Sequence, residues 1–140
     1  KDRELINRIL LLQQSLATCV SSISQYLLLD SINSNSMNEE INSYVEYYER
    51  NRNLVVQIFP EWEKFKPMGA FYYFIDLSSY GISNTTEFAL ELLSDAGIAV
   101  IPGIAYGEGF QSYIRISFSV DQELLYEALS ILKNYLSSSQ

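Results

Sequence analysis

The chain has 140 residues, 48% of them hydrophobic and 19% charged, which suits one ordinary hydrophobic core and argues against two independently folding domains. Seventeen acids against nine bases leave a net charge of −8, which repels a phosphate backbone and sets nucleic acid aside as a partner. Histidine is absent, so the usual general base at neutral pH, a Ser-His-Asp arrangement and every imidazole metal site are excluded, and no metal site is expected.

Leu5, Ile9, Leu12 and Leu16 recur at helical spacing, and Val20, Ile23, Leu27 and Leu28 follow as a second apolar set. Thr18 and Ser21-Ser22 separate the two, because their hydroxyls compete for backbone hydrogen bonds and suit caps better than helix interiors. The stretch Ser31 to Asn38 has no periodicity and reads as a loop. Ser36 with Glu39 then forms a possible capping box, and Ile41, Tyr44, Val45, Tyr48, Val55 and Phe59 trace one long helix that Pro60 ends.

Gly69 opens the run Ala70 to Leu77, whose aromatic and β-branched content predicts a strand buried on both faces. Asn84 with Glu87 caps a predicted helix carrying Phe88, Leu92 and Leu93, with Gly97 where a left-handed C-terminal cap belongs. A short strand is predicted from Ile98 to Ile101, running into Pro102. Ser112 to Ser119 alternates cleanly, with Ile114, Ile116 and Phe118 on one face and Tyr113, Arg115 and Ser117 on the other. Ser119 with Gln122 suggests a capping box for a closing helix faced by Leu125, Ala128, Leu129, Leu132 and Leu136, after which Ser137 to Gln140 is expected to fray. The predicted class is α+β: a small sheet of about three strands covered on one face by helices, preceded by a helical pair and a long helix.

A lone cysteine, Cys19, cannot close an intrachain disulfide, which fits a reducing, cytoplasmic setting, and it reads as a buried structural thiol. No apolar run approaches the roughly 18 residues a membrane span needs, and Lys1-Asp2-Arg3-Glu4 does not open a signal peptide. No membrane partner is expected. The chain begins without methionine and enters an amphipathic pattern almost at once, as an excised piece of a longer protein would.

Arg115 is the side chain best placed for chemistry, since a guanidinium on a rigid strand can grip a carboxylate through two parallel hydrogen bonds. On pattern alone a solvent-facing strand residue is the commoner role. The loop Pro102 to Gly109 has three glycines but neither the lysine of a P-loop nor the spacing of a dinucleotide fingerprint, and reads as a turn. Lys64 and Lys66 sit among Glu61 and Glu63 in a polar connection, which does not desolvate an amine for catalysis. Glu39, Glu40, Glu46 and Glu49 suit the start of the long helix, and the sequon at Asn84 matters only on a secreted chain.

The run Pro67-Met68-Gly69-Ala70-Phe71-Tyr72-Tyr73-Phe74, then Gly97 to Gly107 (GIAVIPGIAYG), then Tyr113-Ile114-Arg115-Ile116-Ser117-Phe118, resembles the C-terminal part of class I pyridoxal-phosphate aminotransferases of the aspartate type. Cys19 to Gln25 matches upstream, so the resemblance spans nearly the whole chain. It implies the C-terminal domain of fold-type I pyridoxal-phosphate enzymes, with residues 1–36 as the helical tail of a large domain and 37–140 as the small domain. It also implies transfer of an amino group from an amino acid to a 2-oxo acid, with Arg115 on the substrate α-carboxylate and Tyr106 near the substrate side of the site. The family has phenylalanine at the position of Tyr106.

The resemblance further implies pyridoxal 5'-phosphate and a homodimer for an intact enzyme. The Schiff-base lysine, ring-nitrogen acid and phosphate donors would lie upstream, so this chain alone is expected to hold no cofactor-binding or bond-breaking residue and to be inactive. The helical pair would then keep its apolar stripe without its usual partner. Two other readings stay open: a stand-alone, non-catalytic α+β binding module, and a related pyridoxal-phosphate lyase or synthase that shares the carboxylate arginine.

Overall fold

A computed structural model describes residues 2–17, 19–32 and 34–138. The chain divides into two compact units, Lys1–Ser43 and Tyr44–Gln140, where length alone suggested one folding unit. The single expected core does exist, and all of its buried residues, from Asn51 to Leu136, belong to the second unit.

The first unit contains α1 (Arg3–Ala17), α2 (Ser22–Ile32) and the start of α3 (Asn35–Ile58). Helix α1 starts where the Asp2 carboxylate accepts the Glu4 and Leu5 amides at 3.0 and 3.2 Å, leaving fewer orphan donors in its first turn. The break between α1 and α2 falls as expected, although Thr18 itself lies outside the described residues. Neither helix buries a residue: Leu16 is 82% exposed and Ile23 71%. Cys19 is exposed, not buried as expected, because these helices form no core around it.

The predicted loop from Ser31 to Asn38 is much shorter, since α2 runs to Ile32 and α3 begins at Asn35. Ser34, not Ser36, accepts the Met37 amide at 3.3 Å, and the Ser36 hydroxyl bonds Ser34 instead.

In the second unit, β1 (Tyr72–Asp76), β2 (Ile101–Pro102) and β3 (Tyr113–Ser117) form an antiparallel sheet in the order β1-β3-β2. Phe74 lies opposite Arg115 from one side and Ile101 from the other. The inward residues Tyr73, Ile75, Leu77, Ile114, Ile116 and Phe118 pack with Val55 and Phe59 near the end of α3, with Phe88 and Leu92 of α4 (Thr85–Ala96), and with Leu125, Leu129, Leu132 and Leu136 of α5 (Gln122–Ser138). Each large apolar side chain so buried contributes roughly 1.5–3 kcal/mol relative to exposure. Trp62, in the 3₁₀ turn Pro60–Phe65, stacks on Phe59 with ring centroids 3.7 Å apart and closes the end of this layer.

The predicted strand from Ala70 to Leu77 is shorter, Tyr72–Asp76, and only the face of Tyr73, Ile75 and the following Leu77 is buried. Tyr72 and Phe74 point to the open face, where aromatic rings shield one another in place of a second helical layer. The strand expected from Ile98 to Ile101 is only Ile101–Pro102. Its start is taken up by the end of α4, where Gly97, at φ 69°, lets its own amide and that of Ile98 reach Leu93 and Leu92 carbonyls. The Asn84 cap forms as read, accepting the Thr86 and Glu87 amides. Ser119 does not cap α5; the Asp121 carboxylate does, accepting the Glu123 amide at 2.9 Å, while the Ser119 hydroxyl meets Tyr48. Helix α5 continues through Ser137 and Ser138 where fraying was expected, and the last two positions lie outside the described residues.

Helix α3 also holds the exit of β3. The fully buried Asn51 donates from Nδ2 to the Phe118 and Val120 carbonyls at 2.9 and 2.8 Å, and the Tyr47 hydroxyl donates to the Val120 carbonyl. Asn51→Ala removes both bonds and leaves the Phe118 carbonyl without its side-chain donor, while Val120 keeps Tyr47, so we expect a loss of about 2 kcal/mol, read as a lower urea midpoint with unchanged slope.

The buried Tyr73 phenol donates to the Arg52 carbonyl at 2.8 Å. Burial pushes its pKa up to about 12, against smaller opposing and reinforcing effects of Arg52 and Glu63. Tyr80 moves in the same direction through burial and its hydrogen bond to Glu61. A phenol held neutral in the fold favours folding fully below its unfolded pKa near 10, and that contribution is lost as pH rises toward 12. Alkaline unfolding is therefore expected over that interval, with Tyr73 losing about 2 kcal/mol. The part of the tyrosine ultraviolet titration that Tyr73→Phe removes, one of eleven tyrosines, should coincide with loss of circular dichroism; its appearance at pH 10 in the folded chain would contradict it.

Candidate functional site

The open face of the sheet carries the site. Arg115 projects from the middle of the central strand, and the alternation that buries Ile114 and Ile116 forces it to the opposite side. Its guanidinium carbon lies 5.2 Å from the Tyr72 ring centroid and 5.6 Å from that of Tyr106, so the cation is flanked by two aromatic rings. Arg115 is half-buried and its Nε is enclosed without a hydrogen-bond partner. Among the described residues no carboxylate pairs with it; the ion pairs present are Arg8–Glu4, Arg52–Glu49 and Lys66–Glu63.

Tyr106 is delivered by the 3₁₀ turn Gly103–Tyr106 that directly follows β2. The turn closes with the Gly107 amide donating to the Ile104 carbonyl at 3.2 Å, in line with the turn read from its glycines. Phe74 anchors the ring layer beneath: its centroid is 5.5 Å from Tyr106, 5.2 Å from Phe110 and 5.0 Å from Tyr113. Edge-to-face and offset contacts of this kind rigidify the platform on which the cation rests.

The structure therefore brings Arg115 and Tyr106 together, as the resemblance alone had paired them. Tyr72 was missed, because β1 was read as buried on both faces. Parity puts Tyr72 on one face with Phe74, but only the pairing of β1 with β3 puts that face beside Arg115. The other candidates lie elsewhere. Lys64 stacks over Phe65, Lys66 pairs with Glu63, and Lys133 donates to the Ile58 carbonyl. No group of acids and Cys19 among the described residues is arranged to hold a metal ion. No described helix is long and apolar enough to cross a membrane.

No protein-family model matches the chain. It is 36% identical over 135 residues to the (5-formylfuran-3-yl)methyl phosphate transaminase of Methanocaldococcus jannaschii, covering 95% of this chain and 35% of that protein. It is 30% identical over 134 residues to the aspartate aminotransferase of Pyrococcus abyssi, covering 94% of this chain and 34% of the relative. The crystal structure of the aromatic aminotransferase from Pyrococcus horikoshii OT3 superposes with a TM-score of 0.83 at 29% identity, covering 95% of this chain and 36% of that one. The chain thus spans about a third of the length of the relatives it matches. Its homologues are aminotransferases of the aspartate and aromatic type, and this α+β chain, with its three-stranded antiparallel sheet, matches a C-terminal segment of them.

Proposed function

We propose that the chain is the part of a pyridoxal-phosphate-dependent aminotransferase that holds the substrate's α-carboxylate and helps close the site, residues 37–140 forming the small domain and 1–36 the tail of a large one. In the whole protein an amino group would pass from an amino acid to a 2-oxo acid. The observation that supports this reading is the Arg115 guanidinium, unpaired with any described carboxylate, on the uncovered face of the sheet between two tyrosine rings.

A carboxylate is the natural counterpart of that fork. Two parallel N–H···O bonds orient as well as attract it, and charge assistance makes each about twice as strong as a neutral hydrogen bond. Arg115 contributes binding and orientation, which holds the Cα of the amino acid in place while bonds are rearranged elsewhere. Tyr106 flanks the guanidinium, and its hydroxyl is a polar group that phenylalanine would not offer.

Pyridoxal phosphate, when bound, supplies the electron sink for amino transfer. The described residues do not fit it: Lys64, Lys66 and Lys133 are engaged away from Arg115, and the ring-nitrogen acid and phosphate donors have no counterpart beside it. We assign those groups to the remainder of the whole protein, together with most of a homodimer interface. The single cysteine is compatible with a reducing cytoplasm. The deciding experiment is the KM of the whole protein for its amino acid after Arg115→Ala, with the cofactor's absorbance as the control for an intact site; an unchanged KM overturns the assignment.

A further inference from the structure

We infer that Tyr72 is a positioning residue that holds Arg115 in its carboxylate-binding orientation, an inference that rests on the carboxylate role proposed for Arg115. The argument starts from register. Tyr72 lies opposite Ser117, two pairs from Phe74–Arg115 with the inward Tyr73–Ile116 pair between, so Tyr72 and Arg115 are diagonal neighbours on one face. Such neighbours are within reach of long and aromatic side chains. The guanidinium carbon is closer to the Tyr72 ring, at 5.2 Å, than to the Tyr106 ring, at 5.6 Å.

An arginine side chain has several soft torsions, and a carboxylate that binds a wandering guanidinium must order it first. Arg115 has no hydrogen bond from Nε, and no acid of the described chain steadies it. What bears on the guanidinium instead is the pair of cation–π contacts with the two rings. Tyr106 reaches it from a turn, whereas Tyr72 reaches it from a paired strand, so the rigid half of the clamp is Tyr72. Aromatic faces also favour the cation without consuming its N–H donors, which remain free for two carboxylate oxygens. An acid in place of Tyr72 would hold the guanidinium equally well but would occupy the donors that the ligand needs.

Position 72 therefore requires a ring and not a hydroxyl. In the whole protein, Tyr72→Phe should leave steady-state parameters within twofold. Tyr72→Leu should raise KM for the amino acid about 3- to 10-fold with kcat nearly unchanged, the size expected for losing one partly exposed cation–π contact and some preorganisation. Tyr72 is 38% exposed on the open face, so neither change touches the core, and the cofactor's absorbance and melting temperature report folding. Rescue by phenylalanine but not leucine supports the clamp. Equal KM for the leucine and native proteins overturns it, as does equal loss in both variants. Arg115→Ala separates this from the parent reading: if that change raises KM while Tyr72→Leu does not, only the clamp fails; if Arg115→Ala leaves KM unchanged, both do.

Discussion

Replacing Arg115 by alanine in the whole protein is expected to lower kcat/KM for the amino acid by two to three orders of magnitude, about 3–4 kcal/mol, almost all of it in KM. The size follows from the chemistry lost. On the proposed role, a bidentate, charge-assisted pair disappears, and the substrate carboxylate is left beside Tyr72 and Tyr106 without a positively charged partner. Arg115→Lys keeps the charge but not the planar pair of donors, so it should recover roughly tenfold and not the whole. A primary amine lacking the carboxylate gives the complementary measurement: native protein should reject it strongly, and the alanine variant should barely distinguish it from the acid. Equal discrimination by both proteins would place carboxylate recognition elsewhere.

How much of this was visible beforehand depends on the kind of signal each residue carries. The Ile114, Arg115, Ile116 alternation was readable because period two is strict, and a strand with one buried face cannot place Arg115 anywhere but outside. Gly97 and Asn84 were readable because caps are local. The Tyr72 wall was not, since an unbroken aromatic run has the composition of a doubly buried strand. Only the pairing to β3 and the turn after β2 show that Phe74, Tyr106, Phe110 and Tyr113 cover each other. The choice of Asp121 over Ser119, and Ser34 over Ser36, turned on where a helix meets its neighbours, which spacing within one segment does not encode.

The N-terminal helices make the same point from the other side. The apolar periodicity of α1 is as regular as that of α5, yet Leu12 and Leu16 are exposed while Leu125, Leu129 and Leu132 are buried. Amphipathic pattern specifies that a face needs covering, not that the covering lies in the same chain. That contrast agrees with a chain matching about a third of its relatives' length.

Gly103→Ala is the second change expected to have a large effect, and it acts on fold and site together. A Cβ at this position would overlap the Phe110 carbonyl oxygen and stand 2.7 Å from the Tyr113 Cβ and 2.8 Å from the Tyr113 carbonyl oxygen. These obstacles are backbone and the root of a side chain, so no rotamer change relieves them; the 3₁₀ turn or β3 must move. Overpacking of this kind costs about 3 kcal/mol, or roughly 10 °C in melting temperature for a chain of this size. The turn that moves is the one that carries Tyr106, and Tyr113 underlies Phe74 in the ring layer, so the guanidinium loses its wall as well. KM should therefore rise even in the fraction that remains folded, whereas a core change of equal cost such as Leu129→Ala should lower stability and leave KM alone. If Gly103→Ala and Leu129→Ala destabilise equally and neither alters KM, the turn is packing only, and the link from Gly103 through Tyr106 to Arg115 is broken.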